Sequence, residues 1–133
     1  MDRHKLLAWV LLSVGDQPRH LGEVLLRADG INKATPSLDE LRDSLVWLEN
    51  AGCIKREGNL FKTTKAAAQL RNACEERSQN LFDLWTLLAS ELRHLVPQDN
   101  GASPLTEVEY DRGINDFRAR GAKMLREYFE DDA

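Results

Sequence analysis

Ser37-Leu38-Asp39-Glu40-Leu41-Arg42-Asp43-Ser44-Leu45-Val46-Trp47-Leu48-Glu49-Asn50-Ala51-Gly52, running straight into Cys53-Ile54-Lys55-Arg56-Glu57-Gly58-Asn59-Leu60-Phe61-Lys62-Thr63-Thr64, is the stretch that decides the fold. Ser37 with Glu40 three residues on is a capping box, in which each side chain satisfies a free backbone N–H at the start of a helix. Leu38, Leu41, Leu45 and Leu48 follow at helical spacing, and Asn50-Ala51-Gly52 closes the helix. Next, Cys53–Arg56 and Leu60–Thr63 have the composition of two short strands. They flank Glu57-Gly58-Asn59, whose glycine and asparagine tolerate the positive φ of a tight hairpin.

Upstream, the pattern predicts two further helices. The first starts at the N-cap candidate Asp2 and stops near Gly15, with Pro18 barring continuation. Its apolar residues Leu6, Leu7, Trp9, Val10, Leu11, Leu12 and Val14 wrap most of the circumference, so it must be covered on several sides. The second fits Leu21–Ala28 and ends at Asp29-Gly30, leaving a polar connection as far as Pro36. Downstream, Thr64 is an N-cap for a helical pattern that runs to Val96, before Pro97. Ala67, Leu70, Cys74, Leu81, Leu84, Leu88 and Leu95 form a coiled-coil type of seam, broken at Arg77 and Glu91. A continuous helix of that length would span about 50 Å, so it either bends near Ser78-Gln79-Asn80 or packs its far end on another chain. Residues 97–105 form a loop, and a last helix starts at Thr106, capped with Glu109, and continues to about Phe129. Its seam is Tyr110, Ile114, Phe117, Gly121, Met124 or Leu125, and Tyr128.

The order helix, helix, turn, helix, hairpin, with Leu48-x-x-Ala51-Gly52-Cys53-Ile54, Gly58-Asn59-x-Phe61 and Thr63-Thr64, resembles the winged-helix superfamily, in particular its MarR-like and PadR-like branches. The resemblance covers residues 5 to 65. It implies a mostly α fold: a winged helix-turn-helix domain at 1–65, built of three helices and a β-hairpin wing, followed by two long C-terminal helices at 66–133 that serve dimerisation or intramolecular packing. The connection from Gly30 to Pro36 departs from the pattern, being longer than the usual three or four residues.

Bulk composition narrows the function. The chain has 133 residues, 42% apolar and 30% charged, which suits a globular fold of one domain or a module with an extension. A net charge of −4 gives no general attraction to phosphate or anionic lipid, so any nucleic-acid contact must be local. Cys53 and Cys74 lack a CxxC partner and read as buried thiols in a reducing, cytoplasmic compartment. The basic and then apolar start mimics a secretory signal, but the same stretch is the first helix that the fold requires. No run approaches the roughly 20 apolar residues of a membrane span. His4, His20 and His94 have no metal-ligand spacing, and there is no phosphate loop or nucleophile elbow, so neither cofactor, metal nor catalytic residue is expected.

Two partners remain in play. In winged helices that read DNA, the third helix enters the major groove and the wing touches phosphate. Here Ser37–Gly52 holds four acids and one base, whereas Cys53–Lys65 holds Lys55, Arg56, Lys62 and Lys65 against Glu57. A homodimeric regulator, held by the opening helix and the two C-terminal helices, would therefore grip double-stranded DNA through those four wing residues. Alternatively, Asp43, Val46 and Trp47, placed outward by helical rotation, would bind a protein, because a large exposed aromatic is typical of interfaces; the competing reading, and the favoured one, is that the C-terminal helices of the same chain fold back over Trp47.

Overall fold

The computed structural model describes residues 1–131. Among them are six helices, α1 (Arg3–Val14), α2 (Leu21–Asn32), α3 (Leu38–Asn50), α4 (Lys65–Arg77), α5 (Leu81–Leu92) and α6 (Glu107–Asp131), and a small antiparallel sheet. Its strands are β1 (Arg19–His20), β2 (Ile54–Glu57) and β3 (Leu60–Thr63), in the order β1-β3-β2. No described helix is long and apolar enough to cross a membrane.

α1 is the axis of the core. Every residue from Leu7 to Val14 is buried, and the helix packs against α2, α3, α5 and β3. Its all-round apolar surface is thus met on all sides by its own chain. Even the buried Ser13 hydroxyl is satisfied, donating to the Trp9 carbonyl at 2.7 Å. The carbonyls left free at its C-terminus have no basic residue in the last turn to meet them. Arg27 instead donates to Ser13 and Leu12, and Arg19 to Val14, at 2.8 to 3.0 Å.

α3 begins with the expected capping box, Ser37 and Glu40 exchanging bonds of 3.0 and 3.2 Å. α2 runs past Asp29-Gly30 to Asn32 and ends on Lys33, which takes the left-handed conformation at φ 53°. The connection to α3 is therefore shorter than the composition suggested. Composition failed there because a helix-weakening glycine costs only about 1 kcal/mol, which packing of Val24, Leu25 and Ala28 outweighs.

The hairpin pairs Ile54 with Thr63, Lys55 with Lys62, Arg56 with Phe61 and Glu57 with Leu60. Gly58 alone carries the positive φ, 59°, as the first of two loop residues. Asn59 does not.

The C-terminal part contains three helices rather than two long ones. The 64–96 pattern breaks at Ser78-Gln79-Asn80: Ser78 is extended, and Asn80 caps α5 by accepting from the Asp83 N–H at 2.9 Å. α4 and α5 fold into a hairpin, which lets α5 lay Leu84, Trp85, Leu88, Ala89 and Leu92 toward the core. Trp85 donates to the Lys5 carbonyl at 2.7 Å and its ring lies 6.4 Å from that of Trp9. α6 crosses α2, with Gly113 and Gly22 where the two helices come closest: a Cβ on Gly113 would lie 2.6 Å from Leu21. One continuous core runs from Leu7 to Leu105, across the boundary expected at residue 65.

Candidate nucleic-acid interface

Strand alternation sorts the hairpin residues onto two faces. Lys55 and Lys62 are directly opposed across the hairpin, and both are exposed. Glu57 and Leu60 share that face, and Lys65 follows as the first residue of α4. Together with Pro18, Thr63 and Thr64 they line a shallow groove of about 370 Å³. Three lysines and one glutamate leave it with net positive charge.

Two features of this groove oppose stability. Like charges placed directly across a sheet repel, and Lys55 faces Lys62. A cation at a helix N-terminus opposes the helix dipole, and the first turn of α4 carries Lys65 with no acid to offset it. None of the three lysines has an ion-pair partner among the described residues. The positive end of α4, capped by the Thr64 hydroxyl, adds to the same field.

Arg56 lies on the other face. Its guanidinium stacks 5.1 Å from the Phe61 ring centroid, donates to the Gly58 carbonyl, and pairs with Glu109 on α6. Its charge is spent within the molecule, binding the hairpin to α6. The cleft beside it, between the start of α2 and α6, also contains Arg120, which is held by Asp116 at 2.8 Å. That hydrogen bond to Asp116, more than any other contact, raises the Arg120 pKa. Glu109 and Asp116 thus offset two of the arginines there, and a third, Arg112, also lines the cleft.

The third-helix patch does not assemble as the sequence suggested. Asp43 is exposed and Val46 half-buried, but Trp47 is only 8% exposed and packs edge-on against His4 of α1, ring centroids 6.1 Å apart. The helical rotation allowed α3 one buried face. Because α1 is buried all round, α3 buries a second flank through Ser44 and Trp47. The segment joining α5 to α6 crosses α3 as well: Gln98 and Asn100 donate to Asn50, and Arg42 to the Leu105 carbonyl at 2.8 Å. What stays open on α3 is acidic: Asp39, Glu40 and Asp43.

Of the four basic residues singled out from sequence, the structure gathers Lys55, Lys62 and Lys65 and separates Arg56. Sequence reasoning missed the α4 N-terminus and Glu57 as parts of the same groove, although strict alternation from Lys55 would have paired 55 with 57 and set 56 apart. Among the described residues no group of three His, Cys, Asp or Glu side chains is placed to hold a metal ion. Set beside known proteins, the chain matches no family model, no curated protein and no solved structure.

Proposed function

We propose that this chain is a non-catalytic winged-helix protein, a DNA-binding transcriptional regulator that holds the phosphate backbone of double-stranded DNA through the outer face of its hairpin. The observation that carries this reading is the convergence of Lys55, Lys62 and Lys65, without ion-pair partners among the described residues, beside the N-terminus of α4. Opposed lysines are a standing cost that an anionic partner turns into a gain. The acidic open face of α3 favours a mode in which the wing, and not the helix, makes the main contact. Protein recognition through α3 loses its main support with Trp47 covered by α1.

Fluorescence polarisation with a labelled duplex over a salt series tests it. Each phosphate contact contributes a slope of about −0.9 to the dependence of log affinity on log salt. Combined replacement of Lys55, Lys62 and Lys65 by alanine is expected to lower that slope by about 2 to 3 and weaken binding at least tenfold at low salt. Arg56→Ala should leave the slope almost unchanged while lowering stability by about 1 kcal/mol, through loss of the Glu109 and Phe61 contacts. Absence of duplex binding at low salt, or a slope set by Arg56 instead, would defeat the proposal.

A further inference from the structure

α6 is two different surfaces joined in one helix. Its 25 residues span about 37 Å, about twice the length of α2 beneath it. The first part lies on α2 through Tyr110, Gly113, Ile114 and Phe117, all wholly or partly buried. Beyond Gly121 nothing covers it: Met124, Leu125, Tyr128 and Phe129 are 56% to 66% exposed, a run of apolar side chains at helical spacing. A helical segment this short gains most of its stability from packing an apolar face, and this face has no partner among the described residues.

The charges of this segment also need an explanation. Arg118, Arg120, Lys123 and Arg126 come first, Glu127 and Glu130 last. The acids at the C-terminal end are the reverse of what the helix dipole favours, whereas the first turn of α6, with Glu107 and Glu109, agrees with it. Arg120 is held within the chain by Asp116 and Glu23, whereas Lys123 and Glu127, 3.9 Å apart, both stay largely exposed and gain little from each other. The same order is self-complementary when two such helices run in opposite directions, and repulsive when they run in parallel.

We infer that the second half of α6 pairs antiparallel with the same segment of a second copy, about a two-fold axis between Met124 and Leu125. In that register Tyr128 of one copy lies opposite Gly121 of the other. A Cβ on Gly121 would meet nothing within 4 Å, so the glycine leaves room for a ring. Along the axis Glu127 and Glu130 of each copy fall level with the basic stretch from Arg118 to Lys123 of its mate, in which Arg120 is held by its own Asp116. A two-fold contact of this kind closes on itself and stops at a dimer. The inference stands apart from the wing reading, because it uses no residue of the hairpin.

Sedimentation equilibrium of the full chain decides the question. The wild type is expected to be a concentration-dependent dimer, and Leu125→Glu with Tyr128→Glu to weaken association at least tenfold; both positions are exposed, so the fold itself is not at risk. Direction is read by oxidative cross-linking. Met124→Cys lies near the axis and should form a disulfide-linked dimer. Glu130→Cys should not, because the two equivalent positions would be about 16 Å apart along the helices, far beyond disulfide reach. A wild type that is monomeric at every soluble concentration, a dimer indifferent to the two glutamates, or cross-linking through residue 130 in preference to 124 overturns the inference.

Discussion

Cys53 shows how one side chain can tie stability to pH without taking part in function. It sits between α3 and β2, its N–H bonded to the Leu48 carbonyl at 2.8 Å and its carbonyl accepting from Thr64 at 2.9 Å. The thiol is 2% exposed, and burial pushes its pKa up to about 11 from 9.0. An acid whose folded pKa is raised gives up its proton first in the unfolded chain. Its contribution is therefore whole below pH 9 and is lost as the pH climbs toward 11. The loss amounts to about 2 to 3 kcal/mol. Burial shifts Cys74 and Tyr110 in the same direction, so they add to the trend. Urea midpoints measured across this window should fall steeply, and Cys53→Ala should flatten part of the fall. A flat wild-type profile between pH 9 and 11 would contradict the burial argument. At neutral pH both thiols are protonated and enclosed, which also makes them slow to alkylate.

At the scale of elements, what could be read from the sequence was whatever local chemistry decides. The capping boxes at Ser37 and Thr106, the α3 seam and the Gly58 turn follow from rules acting over a few residues. β1 could not be read this way: Arg19 and His20 carry no strand pattern and become a strand only because β3 lies beside them. The buried flank of α3 was hidden for the same reason, though the all-round apolar surface of α1 had already called for more cover than one helix face supplies. In the candidate interface, alternation along β2 was legible and separated Arg56 from Lys55, while the placement of Lys65 depended on where α4 begins. Close helix approach is another property that only tertiary packing reveals, and it separates two glycines with the same local context. Gly113 in α6 has Leu21 against it, so Gly113→Ala must push α6 away from α2, at a net cost of about 1 kcal/mol after the gain in helix propensity. Gly30 in α2 has open space around it, so Gly30→Ala should stabilise by about 0.5 to 1 kcal/mol. Thermal unfolding of the two variants should move in opposite directions. A shared sign would contradict the close approach of α6 to α2 at Gly113.

On the scale of the whole molecule, the chain is built outward from α1, and each later segment covers what the earlier ones leave bare. α5 closes one side of α1. The first half of α6 closes α2, and Tyr110 reaches the Pro36 carbonyl at 2.8 Å, which ties down the start of α3. By this logic the first half of α6 belongs to the core and the second half does not, and two truncations should behave differently. Ending the chain after Thr106 uncovers Leu21 and Leu105 and leaves Arg56 without Glu109. Loss of the half-buried Tyr110, Ile114 and Phe117 should by itself lower stability by about 3 kcal/mol. Ending it after Gly121 removes a stretch whose side chains, from Ala122 to Glu130, are all exposed. At high dilution the unfolding midpoint should then stay within about 0.5 kcal/mol of the wild type. Raising the protein concentration adds a second readout, because association through α6 stabilises the folded state by mass action. The midpoint of the full chain should climb with concentration, and that of the chain ending after Gly121 should not. Equal losses from the two truncations would show that the second half of α6 packs on its own chain after all, and the exposed aromatic pair Tyr128 and Phe129 would then need a different account.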